Sequence, residues 1–179
     1  MNDSNTMKDS SDQSTPVMRA LDELKLPYQF FRHPGQVHSL EQAAHERGQR
    51  PEQVVRSILF RLSADEYLMV LVAGPAQISW PKLRAYLGLS RISMADPQDV
   101  LRVTGYPTGA VSPFGLSVPL RVIIDTSVTR EEVISLGSGV RNSTVIMQRD
   151  DLLKRCGIMW AARSTGPETM VGKKATNRA

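Results

Sequence analysis

Two runs rich in β-branched and aliphatic residues, Val54-Val55-Arg56-Ser57-Ile58-Leu59-Phe60 and Tyr67-Leu68-Met69-Val70-Leu71-Val72, flank a polar turn from Ser63 to Glu66. A connection this short cannot carry a crossover, so the two runs must pair as an antiparallel hairpin. A hairpin with this much apolar surface needs covering layers, and the rest of the chain must supply them.

The flanking segments read as short helices and further strands. Val17, Leu21, Leu24 and Leu26 suit an amphipathic helix stopped by Pro27, and Tyr28 to Arg32 reads as a strand. Ser39 caps a helix over 40–47, with Gln42 three residues later as in a capping box and Gly48 at its close. Pro51 to Gln53 adds one turn. Ser79 caps a helix over 80–87, and Asp96 with Pro97 starts another that ends near Thr104-Gly105. Arg91 to Met94, Leu120 to Asp125, Glu131 to Leu136 and Ser143 to Gln148 read as strands, and Asp150 to Cys156 as a last helix. Strands mostly joined by hairpins, with helices between them, argue α+β rather than a doubly wound sheet.

The ends differ from this pattern. Residues 1–16 are rich in Ser, Asp, Asn and Thr, and residues 161–179 hold Gly166, Pro167 and Gly172 without periodicity. Both are expected to be disordered tails around one folded unit at 17–160. The 179-residue chain carries a net charge of +4. The C-terminal stretch contributes Arg163, Lys173, Lys174 and Arg178 against Glu168, and the remaining body is mildly basic, which permits an anionic partner. The Lys173–Lys174 tail reads either as solvated chain or as an arm touching nucleic acid. No apolar run is long enough to span a bilayer, and Met1 to Thr15 lacks the apolar core of a signal peptide. With one cysteine, Cys156, a reducing, cytoplasmic setting is expected.

Several chemistries lack their motifs. There is no P-loop, no G-x-G-x-x-G after a strand and no G-x-S-x-G elbow. The histidines His33, His38 and His45 do not form the i, i+4 pair of a zincin, so no metal is expected. Cys156, in a helical and partly apolar segment, reads as a structural thiol.

The informative stretch is Gly105-Tyr106-Pro107-Thr108-Gly109-Ala110-Val111-Ser112-Pro113-Phe114-Gly115, with three glycines and two prolines in eleven residues. Such a loop is either a rigid connector or a cradle whose backbone N–H groups meet a carbonyl oxygen and stabilise an oxyanion. Arg56 interrupts an apolar strand and must find water or an anion: a ligand phosphate or carboxylate, or a protein carboxylate. Asp125 ends Val122-Ile123-Ile124 and suits a site or a turn cap equally. Gly137-Ser138-Gly139 makes a second tight turn, and His33 before Pro34 is either a substrate-orienting group or a satisfied histidine.

Taken in order, these segments resemble the YbaK/EbsC family, the domain also associated with prolyl-tRNA synthetase editing. The resemblance spans about residues 17–156. It rests on Tyr28 to His33, Ser39 to Ala44, Val54 to Phe60, Tyr67 to Val72, Gly105-Tyr106, Gly109 to Gly115, the strand ending in Asp125, and Gly137 to Gly139. Gly109 and Pro113 match the family's G-x-x-x-P loop.

The resemblance implies a single YbaK-like α+β domain with a mixed, mostly antiparallel curved sheet and flanking helices. It implies a trans-editing aminoacyl-tRNA deacylase that hydrolyses the ester of mischarged aminoacyl-tRNA without a metal or other cofactor. In the family picture the loop backbone holds the aminoacyl group, and a hydroxyl of the terminal ribose helps position water. On that basis Arg56, Gly109 and Asp125 are expected in catalysis, with substrate contacts from His33, Ser39, Ala110, Val111, Ser112, Pro113, Gly137, Ser138 and Gly139. The implied partners are the acceptor end of aminoacyl-tRNA and an aminoacyl-tRNA synthetase, with no DNA and no membrane, in a monomer or homodimer. One departure stands out. Active members usually carry lysine where this chain has Arg56, and a guanidinium keeps the charge but not the compact ammonium. The alternative is therefore a non-catalytic binder of aminoacyl-tRNA or a small aminoacyl ligand.

Overall fold

The computed structural model describes residues 14–156 and the backbone of 158–160. The C-terminal tail expected at 161–179 lies outside the described residues, as do residues 1–13. The expected N-terminal tail runs three residues too far. Thr15 is buried, its side chain accepts from the Met18 N–H at 3.1 Å, and Pro16 opens the first helix. A capping hydroxyl followed by proline at the first helical position is a start signal that polar composition hides.

In chain order the elements are α1 (Pro16–Glu23), β1 (Tyr28–Arg32), α2 (Leu40–Glu46), a 3-10 turn (Pro51–Gln53), β2 (Val55–Arg61), β3 (Tyr67–Ala73), α3 (Trp80–Leu87) and β4 (Ser93–Met94). There follow α4 (Pro97–Thr104), β5 (Arg121–Asp125), a second 3-10 turn (Thr126–Arg130), β6 (Val133–Gly137), β7 (Ser143–Gln148), α5 (Arg149–Arg155) and β8 (Ile158–Trp160). The helix starts follow local chemistry. Ser39 accepts from the Gln42 N–H at 3.0 Å, and Gln42 reaches back to the His38 N–H. Asp96 accepts from the Asp99 N–H at 2.8 Å.

The strands form two sheets rather than one. The smaller has the order β1-β7-β6 and is antiparallel throughout. The larger has the order β4-β2-β3-β5-β8 and is mixed: β2 pairs antiparallel with β3 and β4, whereas β5 runs parallel to both β3 and β8. The parallel β3–β5 pair is possible because α3, β4, α4 and the Gly/Pro loop make the long crossover that parallel strands require. A parallel bridge between Val54 and Ser135 joins the two sheets, just before β2 and in the middle of β6.

Two apolar clusters hold these layers. Val55, Leu59, Met69 and Leu71 of the larger sheet pack with Ile134, Leu136, Val145 and Met147 of the smaller one, and Leu21, Val103 and Leu152 from α1, α4 and α5 complete this core. Phe60, Leu68, Val70 and Val72 on the other face of the hairpin pack with Ile78 and Leu83. Every residue of β3 is buried because both of its faces are covered, which is why it reads as an unbroken apolar run. Deleting a side chain as fully buried as Leu83, for example by alanine, costs about 2–5 kcal/mol.

Candidate functional site

The Gly/Pro loop leaves α4 at Gly105, which takes φ 80° and ends the helix. Tyr106 then turns inward. Its ring is buried, and its hydroxyl lies 2.8 Å from the Phe114 carbonyl and 2.6 Å from the Gly115 carbonyl, so one side chain spans the loop from start to end. Burial pushes the Tyr106 phenol up to about 12, which keeps it a neutral donor. Between these ends, the Ala110 N–H donates to the Pro107 carbonyl at 3.0 Å, closing a four-residue turn. Gly109 occupies its third position with φ 89°, where a residue with a side chain is strained. The space beside its Cα is open.

The second glycine turn clamps the loop. The Gly139 N–H donates to the Ala110 carbonyl at 2.9 Å. At Gly137 a Cβ would stand 2.4 Å from the Val111 carbonyl oxygen and 2.5 Å from that of Ala110, so only glycine lets the end of β6 approach so closely. Ser138 lies 2.6 Å from Ser143, hydroxyl to hydroxyl, and fixes the β6–β7 turn. Ala110, Val111, Ser112 and Pro113 are buried behind this contact, while Gly109 stays exposed at the tip. The structure thus brings the loop and the Gly137-Ser138-Gly139 turn together as one wall.

The start of β2 lies beside β6. The Val54–Ser135 bridge sets β2 and β6 side by side in the same direction, so Arg56 and Gly137 leave it at the same level, two residues on. Arg56 is half-buried and donates to the carbonyl of Ala76, in the connection from β3 to α3. By strand alternation it shares a face with Ile58 and Phe60, opposite Val72, on the side of the second cluster. The apolar side chains of the loop, Val111 and Phe114, pack instead with the first cluster. Arg56 therefore projects from the face of β2 that the loop does not cover, toward the connection from β3 to α3.

Ser57 lies on the loop's side of β2, between Val55 and Leu59 and across from Leu71. Its hydroxyl is shut off from solvent and has no hydrogen-bond partner among the described residues. A buried hydroxyl without a partner is uncommon and calls for a reason. Sequence reasoning passed over it, although a lone hydroxyl beside Arg56 in an otherwise apolar strand was the available signal.

The remaining expected residues lie on other elements. Asp125 is buried at the end of β5, where it accepts from the Ser127 N–H at 2.8 Å and caps the 3-10 turn. Ser39 is the exposed cap of α2. His33 is buried, with Nδ1 2.5 Å from Glu46 and Nε2 2.9 Å from an Arg47 nitrogen. An arginine only donates, so Nε2 accepts and the Nδ1 proton goes to Glu46. The His33 bond, and next the one from Gln42, hold the Glu46 carboxyl below the usual carboxylate range. Arg47 also donates to the buried Ser135 hydroxyl at 3.1 Å, and burial lowers its guanidinium to about 10. The segment from His33 to Ser39 runs beside the β6–β7 turn, with the His33 N–H on the Asn142 carbonyl at 2.8 Å. Cys156 is buried, and burial pushes its thiol up to about 11, as suits a packing residue. Among the described residues there is no cluster of metal ligands and no helix long and apolar enough to cross a membrane.

This sequence and this arrangement of two sheets have counterparts among known proteins. The sequence profile of the aminoacyl-tRNA editing domain matches residues 34–155, and the chain belongs to that family. The uncharacterized protein YwhH of Bacillus subtilis (strain 168) is 32% identical over 114 residues, which are 64% of this chain and 72% of YwhH. The proline–tRNA ligase of Thermosipho melanesiensis is 30% identical over 135 residues, which are 74% of this chain and 23% of the ligase. The chain thus spans about a quarter of that enzyme's length. A solved structure described as a candidate trans-editing enzyme for prolyl tRNA synthetase shares the fold, with a TM-score of 0.75 and 21% identity over 83% of this chain and 95% of that one.

Proposed function

We propose that this protein is an aminoacyl-tRNA deacylase that acts in trans, hydrolysing the ester of a mischarged tRNA at the mouth between the sheets. Gly109 carries the reading. The turn demands a glycine, the loop around it is clamped, and the space beside its Cα is open, so a carbonyl group can come up to the loop backbone. In the reaction, water adds to the ester carbonyl, the bond to the ribose oxygen breaks, and that oxygen leaves with a proton from the water. The loop N–H groups hold the transient oxyanion, and Ser57 supplies the hydroxyl that orients the water or the amino group. Arg56 holds a phosphate or the terminal ribose at the entrance. An aminoacyl ester is intrinsically labile, so positioning and oxyanion contacts supply the acceleration without a metal. The substrate is the acceptor end of aminoacyl-tRNA, and the work belongs in the cytoplasm, beside a synthetase.

One observation favours a second reading, a non-catalytic binder of aminoacyl-tRNA or a small aminoacyl ligand. The Arg56 guanidinium is tied to the Ala76 carbonyl, and it cannot place the compact ammonium of the family's lysine in the same spot. A panel of charged tRNAs separates the two readings. The native protein should release the amino acid from at least one mischarged tRNA, and Arg56→Ala should slow that release about 10- to 150-fold, the worth of one charge-assisted contact. Binding without release in the native protein, with release gained in Arg56→Lys, establishes the binder. Neither binding nor release contradicts both.

A further inference from the structure

We propose a second anion site at the far end of β2, which takes a backbone phosphate of the RNA whose end enters the mouth. A cleft of about 380 Å³ opens there, lined by Arg61, Leu62, Ser63, Arg91, Ile92 and Ser93. It lies between the turn after β2 and the connection from α3 to β4, and Leu62 and Ile92 floor it by packing on the second apolar cluster. Arg61 is held in place by the carbonyls of Ser63 at 3.1 Å and Ala64 at 3.3 Å. Its nearest carboxylate, Asp99, stands at 3.9 Å and is already engaged by Arg102 at 2.7 Å. Arg91 has no hydrogen-bond or ion-pair partner among the described residues. The acidic residues of the turn, Asp65 and Glu66, line a neighbouring cleft of about 360 Å³ with Arg102 and Arg121. Two guanidiniums and two hydroxyls around one concavity are the donor set of a phosphate site.

The spacing selects the ligand. Arg56 and Arg61 are five residues apart on an extended strand, ~17 Å at the usual rise, and this odd step turns Arg61 to the other face of β2, so the RNA must round the sheet edge at the turn after β2 to meet both. Stacked nucleotides advance about 3.4 Å each, so the cleft stands about five nucleotides from the mouth. Every tRNA ends in four unpaired nucleotides, and the cleft therefore meets the first phosphates of the acceptor stem. The proposal rests on an RNA end occupying the mouth, but not on hydrolysis there.

The test is tRNA binding across a salt series, with the native protein, Arg91→Ala and Arg91→Glu, alongside turnover of an aminoacylated trinucleotide too short to reach the cleft. Arg91→Ala should bind tRNA about 5- to 10-fold more weakly, with Arg91→Glu weaker still. The slope of log affinity on log salt should become shallower by about 0.7–0.9, one phosphate lost. Trinucleotide turnover should not change. Native affinity and slope in Arg91→Glu overturn the site, as does an equal loss of trinucleotide turnover. If the native protein hydrolyses no aminoacyl ester yet its tRNA binding depends on Arg91, the site stands and the deacylase reading falls.

Discussion

Ser135 and Ser57 are both strand hydroxyls buried among apolar neighbours, and both lie within three residues of the bridge between the sheets. Ser135 receives an Arg47 N–H at 3.1 Å, within a network where His33, Glu46, Gln42 and Gln49 also find partners. Ser57 receives nothing from the described residues. An orphaned hydroxyl costs about 1–3 kcal/mol, so the described residues stabilise Ser135 in a way that they do not stabilise Ser57. The closed cluster ties α2, β1 and β6 together, and the open hydroxyl lies on the face of β2 that the first apolar cluster covers.

The contrast breaks most visibly at Arg47. Replacing it with leucine strands His33 Nε2 and the Ser135 hydroxyl together, and unfolding in urea should show a loss of about 2–4 kcal/mol. In Arg47→Leu with Ser135→Ala, the loss should be smaller than the sum of the single variants, because the second change removes a group the first leaves unpaired. Additive losses would mean that the network does not act as a unit.

The glycine clamp comes next. Gly137→Ala puts a methyl group into two loop carbonyls and should cost about 1–3 kcal/mol, with amino acid release falling alongside as the loop shifts. Gly109→Ala meets no such clash, so its cost of about 1–2 kcal/mol comes from the left-handed backbone alone. Its release rate should fall even in the folded fraction, and a native rate there would make the loop a mere connector.

Where a few neighbouring residues decide the structure, the sequence was legible. The hairpin of β2 and β3, the caps at Ser39 and Asp96, and the turn Pro51–Gln53 all follow from chemistry within four positions. Elements decided by distant partners were not. The parallel register of β3 on β5 joins Leu68 to Arg121, and β8 is a three-residue edge strand whose order comes from β5. Arg47 reads as one more charge on an amphipathic helix until Ser135, far along the chain, meets it. The site divides likewise. The G-x-x-x-P loop and the Gly137–Gly139 turn were visible as glycine patterns, and the structure joins them. Asp125 and Ser39, expected at the site, accept from backbone N–H groups, a use that sequence cannot tell from catalysis. Ser57 is legible only as a lone hydroxyl in an otherwise apolar strand, and its lack of a partner shows once its neighbours are in place.

Ser57→Ala tests the account most directly, with unfolding free energy and release of amino acid from mischarged tRNA measured on the same preparation. Removing an unpaired buried hydroxyl should leave stability within about 0.5 kcal/mol of native, or raise it. Release should slow by about tenfold or more, the worth of one hydrogen bond to the reacting group. A variant that loses stability while keeping the native rate would make Ser57 a structural residue and would contradict the placement of chemistry at this mouth.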